Sequence, residues 1–305
     1  MPLHTVPLSR RSFLSQGAAA VAGLSVVSYG WADQPSTNPN LFALLSDTHI
    51  PDSPTIAVRG INMTANLNQV VREITELGAK PACVIINGDC AYLKGLAADY
   101  ANLAQCVAPL ADNGLPLHVT MGNHDDRVQL YASLQAKRPA QPVVESKHVT
   151  VIESSRANWL LLDSLTEVNV VTGELGNVQR AWLDQALAIR ADKPAFVILH
   201  HNPQFKPPAP GKPWGGLRDT GELIELLARH KHVRALIFGH SHHWSIARHG
   251  DLHLVNLPPV AYVFAAGRPN GWVLAEVLAD RLTLELRSID PAHPEHGKRI
   301  ELAWA

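Results

Sequence analysis

The chain has 305 residues, 46% of them hydrophobic, which is enough to bury one large or two small domains. A formal net charge of −1 gives no long-range attraction to nucleic acid or anionic lipid, so no nucleic-acid polymer is expected as a partner. The three cysteines, Cys83, Cys90 and Cys106, are too few and too irregularly spaced for a disulfide framework or a zinc site, and they read as free, small core residues.

In chain order, the N-terminus carries the first signal. "SRRSFLSQGAAAVAGLSVVSYGWADQ" runs from the pair Arg10-Arg11, through a mild apolar stretch from Gly17 to Tyr29, to small residues before Asp33. Basic, then apolar, then small is the layout of an export signal, and the apolar part falls short of the about 20 residues a membrane span takes. The element "SRRSFL" resembles the twin-arginine signal, which implies transport of the folded protein by the Tat export machinery to a bacterial periplasm. Residues 1–32 are expected to be this signal, cleaved near Ala32 or kept as an N-terminal anchor, and residues 33–40 a linker. No membrane span is expected in the mature chain.

From Leu41 onward, short apolar and β-branched runs read as buried strands: "LFALLSD", "PACVIINGD", "PLHVTMGN", "NWLLLDS", "AFVILHH" and "ALIFGH". Helical spacing separates several of them. "NMTANLNQVVREITELGAK" places Leu67, Val70, Val71, Ile74 and Leu77 on one stripe, "NVQRAWLDQALAIR" does so with Trp182, Leu183, Ala186 and Leu187, and "TGELIELLARH" is a third case. Strand alternating with helix predicts a mostly parallel sheet covered by helices. After His249 the helical spacing stops. "DLHLVNLPP", "GWVLAEVLAD" and "RLTLELRSI" read as strands that complete a second sheet across 252–289, the last two as a hairpin. The Pro-rich "NPQFKPPAPGKPWGG" leaves from a polar strand end and reads as a site rim.

Five of the apolar runs finish in metal-capable or acid–base residues: Asp47 and His49, then Asp89, Asn123 and His124, His200 and His201, and His240 and His242. Carboxyl ends of parallel strands share one edge, where ligands bind, so parallel strands would bring these residues together. Carboxylate, amide oxygen and imidazole suit divalent or trivalent Mn, Fe, Zn or Co rather than calcium or thiolate-bound metals. Seven candidates (Asp47, His49, Asp89, Asn123, His200, His240 and His242) exceed one tetrahedral ion. They fit two ions sharing a carboxylate, an arrangement that can hold an attacking hydroxide and clamp an in-line phosphoryl displacement.

The order D-x-H (Asp47, His49), G-D (Gly88, Asp89), G-N-H-D (Gly122 to Asp125), H (His200) and G-H-x-H (Gly239 to His242) resembles the calcineurin-like metallophosphoesterases. "GNHDDR" and "GELGNVQRAWL" are most similar to the group that contains bacterial cyclic-nucleotide and glycerophosphodiester phosphodiesterases. The resemblance implies an α/β fold, a four-layer αββα sandwich of two mixed sheets flanked by helices, as a single catalytic domain over 41–305. It implies one metal on Asp47, His49, Asp89 and His242, and a second on Asp89, Asn123, His200 and His240, with Asp89 bridging. It also implies that His124 faces the phosphate and donates a proton to the leaving oxygen, a plain hydrogen bond to phosphate being the other reading.

Around this catalytic set of His124, Asp89 and Asn123, three residues are candidates for substrate contact. Arg127 could reach a phosphate oxygen bidentately or be a surface arginine. His201 stands behind the ligands or at the rim, and His243 stands at the rim. Asp125 reads as a loop brace. Tyr92 departs from the relatives, which often carry an acidic or small polar residue there, and this leaves the support of the Asp89 loop open. The expected function is a binuclear phosphodiesterase for a small phosphoester. A monoesterase or pyrophosphate-type hydrolase on the same centre is the alternative, and a non-catalytic binding module is disfavoured because no ligand residue is missing.

Overall fold

The structure, a computed structural model, describes residues 36–134 and 142–304. The expected export signal lies outside the described residues, and none of the described helices is long and apolar enough to cross a membrane. In a first mixed sheet, β1 (Thr37–Ser46), β4 (Lys80–Asn87) and β5 (Leu117–Thr120) run parallel. β12 (Gly271–Val277), β13 (Arg281–Ser288) and β14 (Arg299–Ala303) extend it antiparallel from the other side of β1, giving the order β14-β13-β12-β1-β4-β5. The second mixed sheet comprises β6 (Thr150–Glu153), β7 (Asn158–Leu161), β8 (Ala195–Ile198), β9 (Val233–Phe238), β10 (Ser245–His249) and β11 (Leu252–Asn256). Its order is β10-β11-β9-β8-β7-β6, with a parallel centre and antiparallel edges. A two-stranded ribbon of β2 (Ala57–Val58) and β3 (Ile61–Asn62) stands apart.

Strands buried on both faces explain why the sequence shows continuous apolar runs rather than alternation. Along β1, Phe42 and Leu44 face the other sheet, whereas Ala43 and Leu45 face helices α1 (Met63–Thr75) and α2 (Ala97–Asp112). Trp159 of β7 fills the space between the sheets, its ring 4.4 Å from Phe42 and 4.6 Å from Phe196. On the far side, Leu160 and Val197 pack against Leu183 and Leu187 of α4 (Gly176–Ala188) and Leu223 and Leu227 of α5 (Thr220–Arg229). The layers are therefore αββα, as the resemblance implied. A short helix, α3 (Arg127–Ser133), follows the G-N-H-D stretch.

The predicted stripes sit where they should. Leu67, Val70, Val71 and Ile74 of α1 are buried, Leu77 packs beside them, and the Asn62 side chain caps the helix by accepting from Ala65 N at 2.8 Å. The helix α2 was not anticipated, although Tyr100, Leu103, Cys106, Val107 and Leu110 have helical spacing; Pro109 near its end interrupts the pattern. All three cysteines are buried and free.

Two boundaries need correction. Residues 37–40 are not linker, because β1 already pairs with β4 at Thr37 and Asn38. The C-terminal strands do not together complete one second sheet. β11 pairs with β9, whereas the β12–β13 hairpin takes the open edge of β1, and β14 extends that side. Sequence alternation shows that a strand exists but not which edge it joins.

Candidate metal centre

Turns after β1, β4, β5, β8 and β9 meet at one rim and are knitted there by backbone. Asp47 N donates to Gly88 O at 3.1 Å and His49 N to Asp89 O at 2.8 Å, joining the β1 and β4 turns. Gly239 N donates to His200 O at 2.9 Å, joining those of β8 and β9. The two sheets are tied by Asn87 Nδ2 donating to Leu199 O at 3.0 Å and by His240 N donating to Asp47 Oδ1 at 3.1 Å. Asp47, His49, Asp89, His240 and His242 all have φ between 45° and 67°. That left-handed region is uncommon for residues with a side chain, and it persists where surrounding structure over-determines it, typically at functional sites.

Close approach explains two of the motif glycines. A Cβ on Gly122 would lie 2.1 Å from Asp89 Oδ1, and one on Gly239 would lie 2.0 Å from Ser46 Oγ.

The side chains converge in three overlapping groups, within each of which the ligand atoms lie within 4.8 Å of one another: Asp47, His49 and His242; Asp89, His200 and His240; and His49, Asp89 and His124. Asp89 belongs to two of them. Its Oδ2 is 3.3 Å from His200 Nε2 and 3.6 Å from His49 Nε2, while Asp47 Oδ1 is 3.5 Å from His242 Nε2. The donor set fits divalent cations on a direct observation. His49 Nε2 and His242 Nε2 face each other at 2.9 Å beside these two carboxylates, and the buried Asn123 Oδ1 has no hydrogen-bond partner.

The outer ring nitrogens are held in ways that orient the inner ones. His200 Nδ1 donates to Asn87 O at 2.9 Å, His242 Nδ1 to Tyr262 O at 2.5 Å, and His240 Nε2 to Gly215 O at 3.1 Å. Such partners fix tautomer and ring direction around metals.

Charge follows the same geometry. Burial works against a proton on His200, but the Asp89 and Asp47 carboxylates outweigh it and raise its pKa to about 10. Burial opposes the charge on Asp89 too, yet His200 and His49 hold its carboxyl well below the usual range. His49 is pushed down to about 3 and His240 to about 4, chiefly by burial, so both imidazoles are neutral and available as ligands. Asp125 takes no place in the groups. Its carboxylate accepts from Gly122 N at 2.9 Å, from Cys90 N and Ala91 N at 3.1 Å, and from Tyr100 Oη at 3.0 Å. It braces the Asp89 turn against the Asn123 turn, and burial, then the Asp89 charge, lifts it to about 6. Tyr92 packs against the helix-side core and its N–H donates to Ile50 O at 3.0 Å, while Asp125 accepts the Cys90 and Ala91 N–H groups of the same loop.

His124 lies at the edge of this arrangement, half-buried. Its N–H donates to Asp89 Oδ1 at 2.9 Å and its Nδ1 to Leu93 O at 2.7 Å.

The substrate-contact expectations fare differently. Arg127 does not offer a bidentate fork to phosphate: its Nε and Nη2 each bond the buried Asp163 at 2.7 Å, and Nη2 also donates to Leu165 O. His201 is no rim residue. It is fully buried beside His240, its Nδ1 bonded to Ser164 Oγ at 2.7 Å, with burial and then His240 and His200 holding its pKa well below the ordinary value. His243 is half-buried and belongs to none of the three groups; burial, then the charge of Arg268, lowers its pKa.

Three residues beside the site were missed. Tyr262 stacks on His49 with centroids 5.6 Å apart, Phe264 stacks on His242 at 4.4 Å, and the Arg59 guanidinium sits 5.2 Å from the Phe264 centroid. Arg59 sits in the β2–β3 turn, and Tyr262 and Phe264 lie well along the connection from β11 to β12 rather than at the strand end itself, so strand-end logic did not reach them.

The family model described as calcineurin-like phosphoesterase matches residues 41–244. The chain belongs to the calcineurin-like phosphoesterase family. Among curated relatives, the 3′,5′-cyclic adenosine monophosphate phosphodiesterase CpdA of Escherichia coli (strain K12) is 31% identical over 65% of this chain and 68% of its own. The glycerophosphodiester phosphodiesterase GpdQ of Enterobacter lignolyticus (strain SCF1) is 26% identical over 73% of this chain and 78% of its own. A dimetal phosphatase from Danio rerio shares the fold with a TM-score of 0.66 at 16% identity, across 87% of this chain and 99% of that one. This calcineurin-like protein is a metal-dependent phosphoric ester hydrolase, and its Asp and His groups fit a binuclear centre.

Proposed function

We propose that this phosphoesterase is a binuclear phosphodiesterase acting on a small diester after export, with Asp47, His49, Asp89 and His242 holding one ion and Asp89, Asn123, His200 and His240 the other. The observation that carries the reading is the position of Asp89, common to two groups of ligand atoms. When bound, the ions supply Lewis acidity at phosphoryl oxygens and lower the pKa of a water toward neutrality. The diester preference is supported by the relatives, since both CpdA and GpdQ are named as phosphodiesterases. Export is supported by the "SRRSFL" element and by the basic, apolar, then small layout of the residues that follow it.

His124 supplies the proton for the leaving alkoxide in this reading. The Leu93 carbonyl occupies Nδ1–H, so the transferred proton sits on Nε2 of the imidazolium, and the neutral ring left behind keeps its bond to Leu93. Protein loaded with Mn or Fe should hydrolyse bis(p-nitrophenyl) phosphate faster than p-nitrophenyl phosphate; the reverse order would favour the monoesterase. His124→Ala should keep its metals and lose about 10²–10⁴-fold in rate, the range for general acid catalysis. The loss should be greater for alkyl leaving groups than for nitrophenolate. Equal losses would assign His124 to phosphate binding.

A further inference from the structure

The β2–β3 ribbon ends in a two-residue turn, Arg59-Gly60, closed by the Val58↔Ile61 pair. Both turn residues have positive φ, +54° and +79°, the mark of a type I′ turn. Such turns ordinarily take Asn-Gly, because Asn tolerates the left-handed region and arginine has no local hydrogen bond to offset it. Arg59 is exposed and makes no hydrogen bond or ion pair among the described residues. Its guanidinium lies 5.2 Å from the centroid of Phe264 and 5.8 Å from that of Tyr262.

These rings are part of the site wall. Phe264 lies nearly parallel to His242, at 18°, and Tyr262 accepts the His242 Nδ1 proton through its carbonyl. The backbone beneath them is anchored: Val260 N donates to Ser46 O, Ala261 N to Asp47 O, and Asn66 Nδ2 to the carbonyls of both Val260 and Ala261. Beyond that anchor Phe264 is 57% exposed, an apolar face left in water directly beside the metal ligands.

We propose that Arg59 and Phe264 form the selectivity subsite for a planar, heteroaromatic ester arm, which rests on the phosphodiesterase reading above and makes the substrate a nucleotide-type diester. The arm's π-face covers the exposed part of Phe264, and the guanidinium stacks over the arm or donates to its ring acceptors. A glycerol-type arm offers hydroxyls but no face for Phe264, so it leaves this wall wet.

The test compares 3′,5′-cyclic AMP, glycerophosphoethanolamine and bis(p-nitrophenyl) phosphate on the metal-loaded full chain. Wild-type protein should prefer the cyclic nucleotide to the glycerol diester. Arg59→Asn keeps the turn and removes the guanidinium, so its Tm should match or exceed wild type. Arg59→Asn and Phe264→Ala should each reduce the selectivity for the cyclic nucleotide about tenfold, through KM rather than kcat, the scale seen when a stacking partner of a base is removed. An unchanged ratio in both variants, or wild-type preference for the glycerol diester, overturns the subsite. Inertness toward all three substrates would instead defeat the phosphodiesterase reading on which it rests.

Discussion

At the floor of the site, Asp89 is buried among imidazoles, its turn is tied through Asp125, which accepts from Cys90 N, Ala91 N, Gly122 N and Tyr100 Oη, and a motif glycine touches it without room for a methyl group. At the rim, Arg59 is exposed, its guanidinium 5.2 Å from the Phe264 centroid and 5.8 Å from that of Tyr262. The floor is over-determined: five residues keep left-handed backbone because hydrogen bonds from several turns hold them there. The rim is built from the β2–β3 ribbon and the anchored Val260–Ala261 backbone, and leaves the Phe264 ring largely exposed. Chemistry and selectivity are thereby separated, and substitutions at the two levels should fail in different ways.

Asp125→Asn attacks the floor and should have the largest effect among substitutions outside the ligands. It turns an acceptor of four bonds into a group whose amide faces N–H donors, at about 1–3 kcal/mol for each buried donor left unpaired. Metal affinity should drop about 10–100-fold, as it does when an outer support of a metal site is lost. Thermal unfolding and metal titration would measure both, and wild-type affinity in this variant would show that the Asp89 turn needs no brace.

The next effect is a proton count. His200 carries a proton up to about pH 10 in the metal-free protein, because the Asp89 carboxylate beside it outweighs burial, whereas a histidine ligand must be neutral. Loading at pH 7 should therefore expel about one proton per chain from this residue, since His49 and His240 are already neutral. The release should vanish as the pH rises past about 10. Calorimetry in buffers of different ionisation enthalpy reads this number, and no release at pH 7 would mean that His200 stays outside the metal shell.

Arg127→Lys should do least. Lysine cannot reproduce the forked contact with Asp163, so Tm should fall by a few degrees, roughly 2–4 °C per kcal/mol lost in a chain of this size. KM for a phosphodiester should stay within about twofold, the scale of a contact that substrate does not feel. A raised KM with unchanged Tm would return Arg127 to the phosphate.

Much of the floor was legible in the sequence because parallel strands deliver their carboxyl ends to one edge, so Asp47, Asp89, Asn123, His200 and His240 could be grouped without coordinates. The layer order was legible for a related reason: runs such as "LFALLS" are apolar at every position only when both strand faces are covered. What was hidden depended on pairing or burial across distant segments. Nothing in "GNHDDR" shows that Asp163 claims Arg127, and nothing in "LHH" shows that Ser164 and Gly173 enclose His201. The edge taken by the β12–β13 hairpin was hidden too, because alternation is the same whichever neighbour a strand finds. Arg59 and Phe264 gave no signal at all, since each stands on a connecting segment with no chemistry of its own.

The most direct measurement counts ions. Metal-free protein titrated with Mn should take up two per chain, and Asp89→Ala should hold fewer than one while losing at least about 10³-fold in turnover, the scale of removing a principal electrostatic support of the transition state. Two ions still bound by Asp89→Ala, or full wild-type turnover with only one ion present, would contradict a centre built on a shared aspartate.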